Sequence, residues 1–102
     1  MHKITYLPIA QRDLNEIMFY IAHQLHAPKA ARDLLDKLDK AISNTAQFPY
    51  MHKVYRPIRH LKQEYRVITV DNYAVFYVVT EDTIEIRRFI YAKKDLTQIS
   101  LE

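Results

Sequence analysis

The chain has 102 residues, about half of them apolar, so residues 1–102 can form one domain with one core but not two. It contains no cysteine and no glycine, which excludes disulfides, thiolate metal sites and the glycine-rich loops that cradle phosphates. Lysine and arginine outnumber the acids by 15 to 12, and without a signal-like or membrane-spanning apolar run we expect a cytoplasmic protein.

The N-terminal half predicts a short strand followed by two helices. Residues 4–6 favour a β-strand, which ends before Pro8, and apolar residues then recur at helical spacing. Pro28 suits the first turn of a second helix, whose pattern runs to Phe48 and Pro49. The first apolar stripe comprises Ala10, Leu14, Ile17, Ile21 and Leu25, and the second comprises Ala31, Leu34, Leu35, Leu38, Ala41, Ile42 and Thr45. We expect an antiparallel helical hairpin with a very short turn.

The C-terminal half predicts strands. Pro57 makes the first of them, residues 54–58, an edge or interrupted strand. Asp71 with Asn72 suits a two-residue hairpin turn, and Glu81 with Asp82 marks a second turn. Turns of this length fix the register, because cross-strand partners share a face of the sheet.

In this register the sheet has two unequal faces. One would carry Arg66, Ile68, Val70, Tyr73, Val75, Tyr77, Val79, Ile84, Ile86, Arg88 and Ile90, and the other Tyr65, Val67, Thr69, Ala74, Phe76, Val78, Glu85, Arg87, Phe89 and Tyr91. Residues 73–79 are apolar on both faces and should form a central strand. The prediction is an α+β fold of order β-α-α-β-β-β, with a helical hairpin packed on a mainly antiparallel four-stranded sheet. Two helices cover one face well, which would leave the other as a binding surface.

A first basic cluster lies in residues 53–66. Its members are Lys53, Arg56, Arg59, Lys62 and Arg66, with His52 and His60 beside them and Glu64 as the single acid. Such a patch suggests a polyanion or an acidic partner, and a solvated surface explains it as well.

Basic residues also mark the predicted sheet. Arg66 and Arg88 would share the more aliphatic face, where they form either an anion clamp or two side chains that reach solvent at the rim. A second cluster, suited to phosphate or nucleotide contacts or to a charged tail, consists of Arg87, Tyr91, Lys93 and Lys94. His23 and His26 have no acids nearby to complete a metal shell, so we expect neither a metal nor a cofactor.

Short motifs along nearly the whole chain match one family in order and spacing. The N-terminal motifs are Tyr6-x-Pro8-x-Ala10, Asp13-Leu14, Ile17, Tyr20-Ile21, Pro28-x-Ala30-Ala31 and Phe48-Pro49. The C-terminal motifs are Tyr65-Arg66-Val67, Asn72-Tyr73-x-x-Phe76-Tyr77, Ile86-x-Arg88 and Tyr91-x-x-x-Asp95-Leu96. Together they resemble the RelE/ParE toxin superfamily of bacterial type II toxin–antitoxin systems. The resemblance implies a toxin that a cognate antitoxin, encoded by the adjacent gene, neutralises within a hetero-oligomer.

The resemblance also bears on the target. If the chain were a RelE-like, ribosome-dependent mRNA endoribonuclease, its catalytic groups would be Arg66, Arg88, Tyr91 and Lys94. Ala74 and Ile90 stand where those ribonucleases carry catalytic groups, which favours the ParE-like branch, associated with inhibition of DNA gyrase. A non-toxic nucleic-acid-binding module is a third alternative.

The resemblance to ParE-like toxins implies a docking surface rather than a reaction centre. The residues predicted to bind the target or a nucleic acid are Arg59, Arg66, Arg87, Arg88, Tyr91, Lys93 and Lys94. We expect Arg66→Ala and Arg88→Ala to reduce toxicity more than thermal stability.

Overall fold

The protein consists of two helices packed on a mixed sheet. The structure is a computed structural model that describes residues 1–57, 60–94 and 99–101. Strand β1 spans Lys3–Tyr6, helix α1 spans Pro8–Phe19, a π-helical turn spans Tyr20–Gln24, and helix α2 spans Pro28–Gln47. Strands β2, β3 and β4 span Arg66–Val70, Tyr73–Val79 and Thr83–Tyr91. The spatial order is β1-β4-β3-β2, with only β1 and β4 parallel, which confirms the predicted fold class and element order.

Both helices begin at a proline, because the missing N–H costs nothing in the first turn. After α1, the N–H of Leu25 donates to the carbonyl of Tyr20 at 3.0 Å, which closes the π-helical turn. That turn holds one residue more than an α-helical turn and rotates the following side chains around the axis. Leu25, predicted on the apolar stripe, is therefore 54% exposed. In the described part of the chain, neither helix is long and apolar enough to cross a bilayer.

Both hairpin turns lie where the sequence predicts them. A two-residue loop that begins with Asp71, at a φ of 52°, joins β2 to β3 in the predicted register. The N–H of Thr80 donates to the carbonyl of Thr83 at 2.9 Å, so Glu81 and Asp82 form the second two-residue turn. The turn residues thus set the pairing of the sheet at both ends of β3.

A β-bulge changes the register within β4. Tyr77 pairs with Ile86 as predicted, whereas Phe76 pairs with Arg88, so that Arg87 is an extra residue. Side chains beyond a bulge turn to the opposite face of the sheet. The predicted facing is therefore wrong after the bulge, where Phe89 and Tyr91 lie on the helix-covered face and Arg88 and Ile90 lie on the other.

Apolar residues are buried on both faces of the sheet. The helix-covered core includes Leu14, Leu34, Leu38, Ile42, Ile68, Val75, Tyr77, Ile84, Ile86 and Phe89. On the second face, Ile99 and Leu101 are each 6% exposed and pack with Phe76 and Ile90. Leu61 and Tyr55 add further cover. The prediction of an uncovered face is wrong, because the chain covers that face with its own loop and C-terminal residues.

Residues 54–58 are predicted as an edge or interrupted strand, and the described residues 54–57 show only a short, interrupted pairing with the sheet. Val54 makes a single bridge to Arg66, and the N–H of Tyr55 donates to the carbonyl of Tyr65 at 2.7 Å. Pro57 has no N–H with which to continue the pairing. Some predicted residues lie outside the described part of the chain, namely Ile58, Arg59, Asp95 and Leu96.

Candidate functional site

A groove of about 740 Å³ lies between the first helix and the end of β4. The helical side contributes Asp13, Glu16, Ile17, Tyr20, Ile21 and Leu25, and the sheet side contributes Asn72, Tyr73, Arg88, Phe89, Ile90, Tyr91 and Lys94. Aliphatic and tyrosine side chains next to a few charges are typical of surfaces that receive part of another protein. The groove is therefore the first candidate for a functional site.

Tyrosines form much of the groove wall. The rings of Tyr73 and Tyr91 meet edge-on, with 5.5 Å between their centroids and 61° between their planes. Burial raises the pKa of Tyr73, and the neighbouring hydroxyls of Tyr91 and Tyr20 raise it further. The Tyr73 phenol thus stays protonated at neutral pH and can donate a hydrogen bond but cannot act as a base.

Arg88 is bound to Asp13 at one side of the groove. Its Nε and Nη2 donate to the two carboxylate oxygens at 2.7 and 3.0 Å, and its Nη1 donates to the carbonyl of Ser100 at 2.9 Å. The N–H of Phe89 donates to the same carboxylate at 3.1 Å. The hydrogen bond to Asp13 raises the pKa of Arg88. This guanidinium joins α1 and the C-terminal residues to β4.

Arg66 lies at the start of β2, outside the set of described residues that line the groove. Its Nη1 donates to the carbonyl of His52 at 2.7 Å, and its Nη2 donates to Glu64 at 3.0 Å. The guanidinium carbon lies 5.0 Å from the centre of the Tyr50 ring. Arg66 and Arg88 face opposite sides of the sheet, so the prediction that they share one face is wrong.

The bulged Arg87 is also held by its neighbours. Its Nε lies 2.6 Å from Oε1 of Glu85, and its Nη2 donates to Gln63 at 3.3 Å. Its Nη1 donates to the hydroxyl of Tyr65 at 3.4 Å, and the guanidinium lies 5.6 Å from the centre of that ring. The side chain is 14% exposed, so Arg87 presents little of its charge to a partner.

The structure brings three of the predicted binding residues together. Arg88, Tyr91 and Lys94 all line the groove, and Tyr91 is 43% exposed. Lys93 is exposed next to them in the chain. Arg59 lies outside the described residues. The exposed groups of this cluster are thus the phenol of Tyr91, at the end of β4, and the ammonium groups of Lys93 and Lys94, which follow it.

The four residues predicted for RNA cleavage lie in two separate places. Arg66 pairs with Tyr77, whereas Tyr91 pairs with Tyr73, four residues away along β3. Four residues of β-strand span about 13 Å. General acid–base groups must all reach the same few substrate atoms. The predicted set of Arg66, Arg88, Tyr91 and Lys94 does not converge in this way.

Sequence reasoning does not identify Asp13, Tyr20 or Tyr73 as site residues. For Asp13 a signal exists, because it lies three residues after Ala10 and so falls on the apolar stripe of α1. A carboxylate in that position needs a cationic partner inside the protein. The tyrosines carry no comparable signal, because their positions also suit core packing.

Comparisons with known proteins show the family and the fold of the chain. The family model described as the ParE toxin of the type II toxin–antitoxin system parDE matches residues 4–96. The fold resembles the chromosomal ParDE system from P. aeruginosa, with a TM-score of 0.72 and 18% identity, over 91% of this chain and 98% of that chain. It also resembles the RelB–RelE antitoxin–toxin complex from Methanococcus jannaschii, with a TM-score of 0.50 and 20% identity, over 87% and 91% of the two chains. No curated protein matches the chain.

Proposed function

Because the chain belongs to the ParE toxin family of type II toxin–antitoxin systems, we propose that it arrests bacterial growth by inhibiting DNA gyrase and that a cognate antitoxin neutralises it. The observation that carries the proposal is the placement of the basic residues. Arg66 and Arg88 are bound by the protein's own groups, and the four groups that RNA cleavage would use lie in two places. This arrangement favours a surface that docks onto a protein.

We expect the antitoxin to place an amphipathic segment in the groove between α1 and β4. The groove offers apolar and tyrosine surface from a helix and a sheet, which is a common way to receive such a segment. Glu16 on the helical side and Lys94 on the sheet side border it with both signs of charge. The structural likeness to two toxin–antitoxin assemblies supports a partner of this kind.

Inducing the chain alone in bacteria tests the toxin activity. We expect growth arrest that is relieved when the antitoxin from the adjacent gene is produced as well. The purified protein should inhibit the supercoiling of relaxed plasmid by DNA gyrase in proportion to its concentration. Normal growth of cells that contain abundant folded protein would contradict the toxin activity. Arrested growth with unimpaired supercoiling would contradict the gyrase target alone.

Transcript mapping separates gyrase inhibition from mRNA cleavage. A ribosome-dependent ribonuclease produces cuts at fixed codon positions soon after induction, whereas a gyrase inhibitor induces the DNA-damage response without such cuts. We expect the second pattern. Codon-linked cuts that appear before growth slows would replace the gyrase proposal with a RelE-like activity.

Two exposed tyrosines give a matched test of the groove. Tyr91 lies on the groove and is 43% exposed, whereas Tyr50 lies outside it and is 64% exposed. Tyr91→Asp should weaken antitoxin binding by about tenfold or more, because it places a charge among the contacts. Tyr50→Asp should leave that affinity unchanged. Equal affinities for the two variants would exclude the groove as the antitoxin site.

A further inference from the structure

The loop that follows α2 exposes three large apolar side chains within four residues. Phe48 and Tyr50 are each 64% exposed, and Met51 is 55% exposed. A single exposed apolar residue is ordinary on a protein surface, but several adjacent ones indicate an interaction site. Residues 48–51 are called the apolar loop below.

The apolar loop is anchored to the sheet beneath it. The carbonyl of Pro49 accepts a hydrogen bond from the fully buried Tyr77 hydroxyl at 2.8 Å. Within the loop, the N–H of Met51 donates to the carbonyl of Phe48 at 3.0 Å. These bonds fix the backbone while the side chains of Phe48 and Met51 remain exposed.

Arg66 holds the far end of the apolar loop. It donates to the carbonyl of His52 at 2.7 Å, and its guanidinium packs on the Tyr50 ring at 5.0 Å from the ring centre. A loop that is ordered before binding loses little conformational entropy when a partner arrives. Arg66 is thus a positioning residue that presents the exposed side chains in one arrangement.

The chain continues from the apolar loop into a basic segment. Lys53 and Arg56 are exposed, and Lys62 lines a depression of about 440 Å³ further along the segment. Glu64 is the only acid between residues 52 and 66, and its carboxylate lies 3.0 Å from Arg66. Protruding apolar groups beside positive charge complement a partner that offers an apolar pocket with carboxylates around it.

We propose that the apolar loop, together with Lys53 and Arg56, is the surface by which this toxin docks onto its target, a folded protein with an acidic surface around an apolar pocket. The inference rests on the proposed function, because the identity of the target as DNA gyrase comes from there. What it adds is the surface of the toxin that binds the target. The groove and the apolar loop use different parts of β3, because Tyr73 borders the groove and Tyr77 anchors the loop. Antitoxin and target therefore contact different side chains.

Two variants and one control test this docking surface. The loop variant combines Phe48→Ser, Tyr50→Ser and Met51→Ser. The charge variant combines Lys53→Glu and Arg56→Glu. The control combines Ile9→Ser and Phe19→Ser, which removes apolar side chains that are 39% and 57% exposed on α1 and lie outside the groove.

Each variant is compared with the wild type in three measurements. Binding to immobilised DNA gyrase and thermal unfolding by circular dichroism are measured on the purified protein, and growth arrest is measured on induction in cells. The loop and charge variants should bind gyrase at least about tenfold more weakly than the wild type and should fail to arrest growth. Their unfolding temperatures should stay close to that of the wild type, because the altered side chains are exposed. The control should match the wild type throughout.

The inference would be overturned if both variants bound gyrase and arrested growth as strongly as the wild type. If the loop variant does not fold, the result for the charge variant decides. If the wild type arrests growth without binding gyrase, only the gyrase target fails, and the variants are judged by growth arrest. If the wild type does neither, both proposals fail. A wild type that binds a single-stranded RNA or DNA oligonucleotide instead of gyrase, with that binding lost in the loop variant, would also overturn the inference.

Discussion

Breaking the pair of Arg88 and Asp13 should strongly destabilise the protein. The Asp13 carboxylate accepts two hydrogen bonds from Arg88, at 2.7 and 3.0 Å, and one from the N–H of Phe89 at 3.1 Å. Arg88→Ala removes two of these three donors. Breaking a fully buried pair costs about 3–5 kcal/mol. Since the two side chains keep 16% and 11% exposure, we expect each single alanine variant to lower the free energy of unfolding by about 2–3 kcal/mol.

A double-mutant cycle by urea unfolding measures how much of this loss belongs to the pair. Arg88→Ala, Asp13→Ala and the double variant should give a coupling energy of about 1–2 kcal/mol. The matched control is Lys29 with Asp33, an ion pair of similar length, 2.9 Å, whose side chains are 87% and 53% exposed. One helical turn separates them, and their coupling should be about 0.3 kcal/mol.

A coupling energy no larger than that of the control pair would refute this reasoning. Helix α1 would then be held on the sheet by apolar contacts such as those of Leu14 and Ile17. The bonds between Arg88 and Asp13 also change the expectation that Arg88→Ala reduces toxicity more than stability. We expect this variant to lose stability, and with it the amount of folded protein. Its toxicity should therefore be compared with that of the wild type at equal amounts of folded protein.

Three further predictions concern the residues beneath the apolar loop. Burial raises the pKa of Tyr77 to about 12 despite the nearby Arg66 guanidinium, so between pH 10 and 12 the folded state binds more protons than the unfolded state. The free energy of unfolding should therefore fall as the pH rises through this range. Urea unfolding at pH 9 and 11 should show a smaller fall in Tyr77→Phe than in the wild type. Burial lowers the pKa of His52, so acidification below about pH 6.5 protonates the unfolded state first and lowers stability. In His52→Gln, melts at pH 7.5 and 5.5 should differ less than in the wild type. Arg66→Lys keeps the charge but cannot hold His52 and the Tyr50 ring together, so chymotrypsin should cut after Tyr50 faster, and an unchanged rate would contradict the role of Arg66.

The elements whose signals are local could be predicted from the sequence. Pro8 and Pro28 start the two helices as expected, and Asp71 takes the left-handed conformation that a two-residue hairpin turn favours. The fold class followed from these signals and from apolar periodicity. The covering of the second sheet face could not be predicted, because Ile99 and Leu101 lie in a segment with no periodic pattern of its own.

The bulge in β4 shows a signal that simple register counting does not use. Alternation of apolar and polar residues holds at Ile84 and Ile86 and then fails, with two adjacent arginines followed by two adjacent apolar residues, Phe89 and Ile90. An alternation that breaks and resumes out of phase is what an extra residue produces, because each later side chain changes face. The sequence alone could therefore have placed Phe89 with the helices.

That one extra residue also determines which cations remain exposed. By turning Phe89 toward α1, the bulge brings its N–H and the neighbouring Arg88 to the carboxylate of Asp13, so that this arginine is bound within the fold. The same change places Tyr91 against Tyr73 and thereby builds the groove wall. Counting basic residues on β4 predicts an anion site, but their bonding leaves an apolar, tyrosine-lined groove. A surface of that chemistry binds part of a protein more readily than it binds a phosphate.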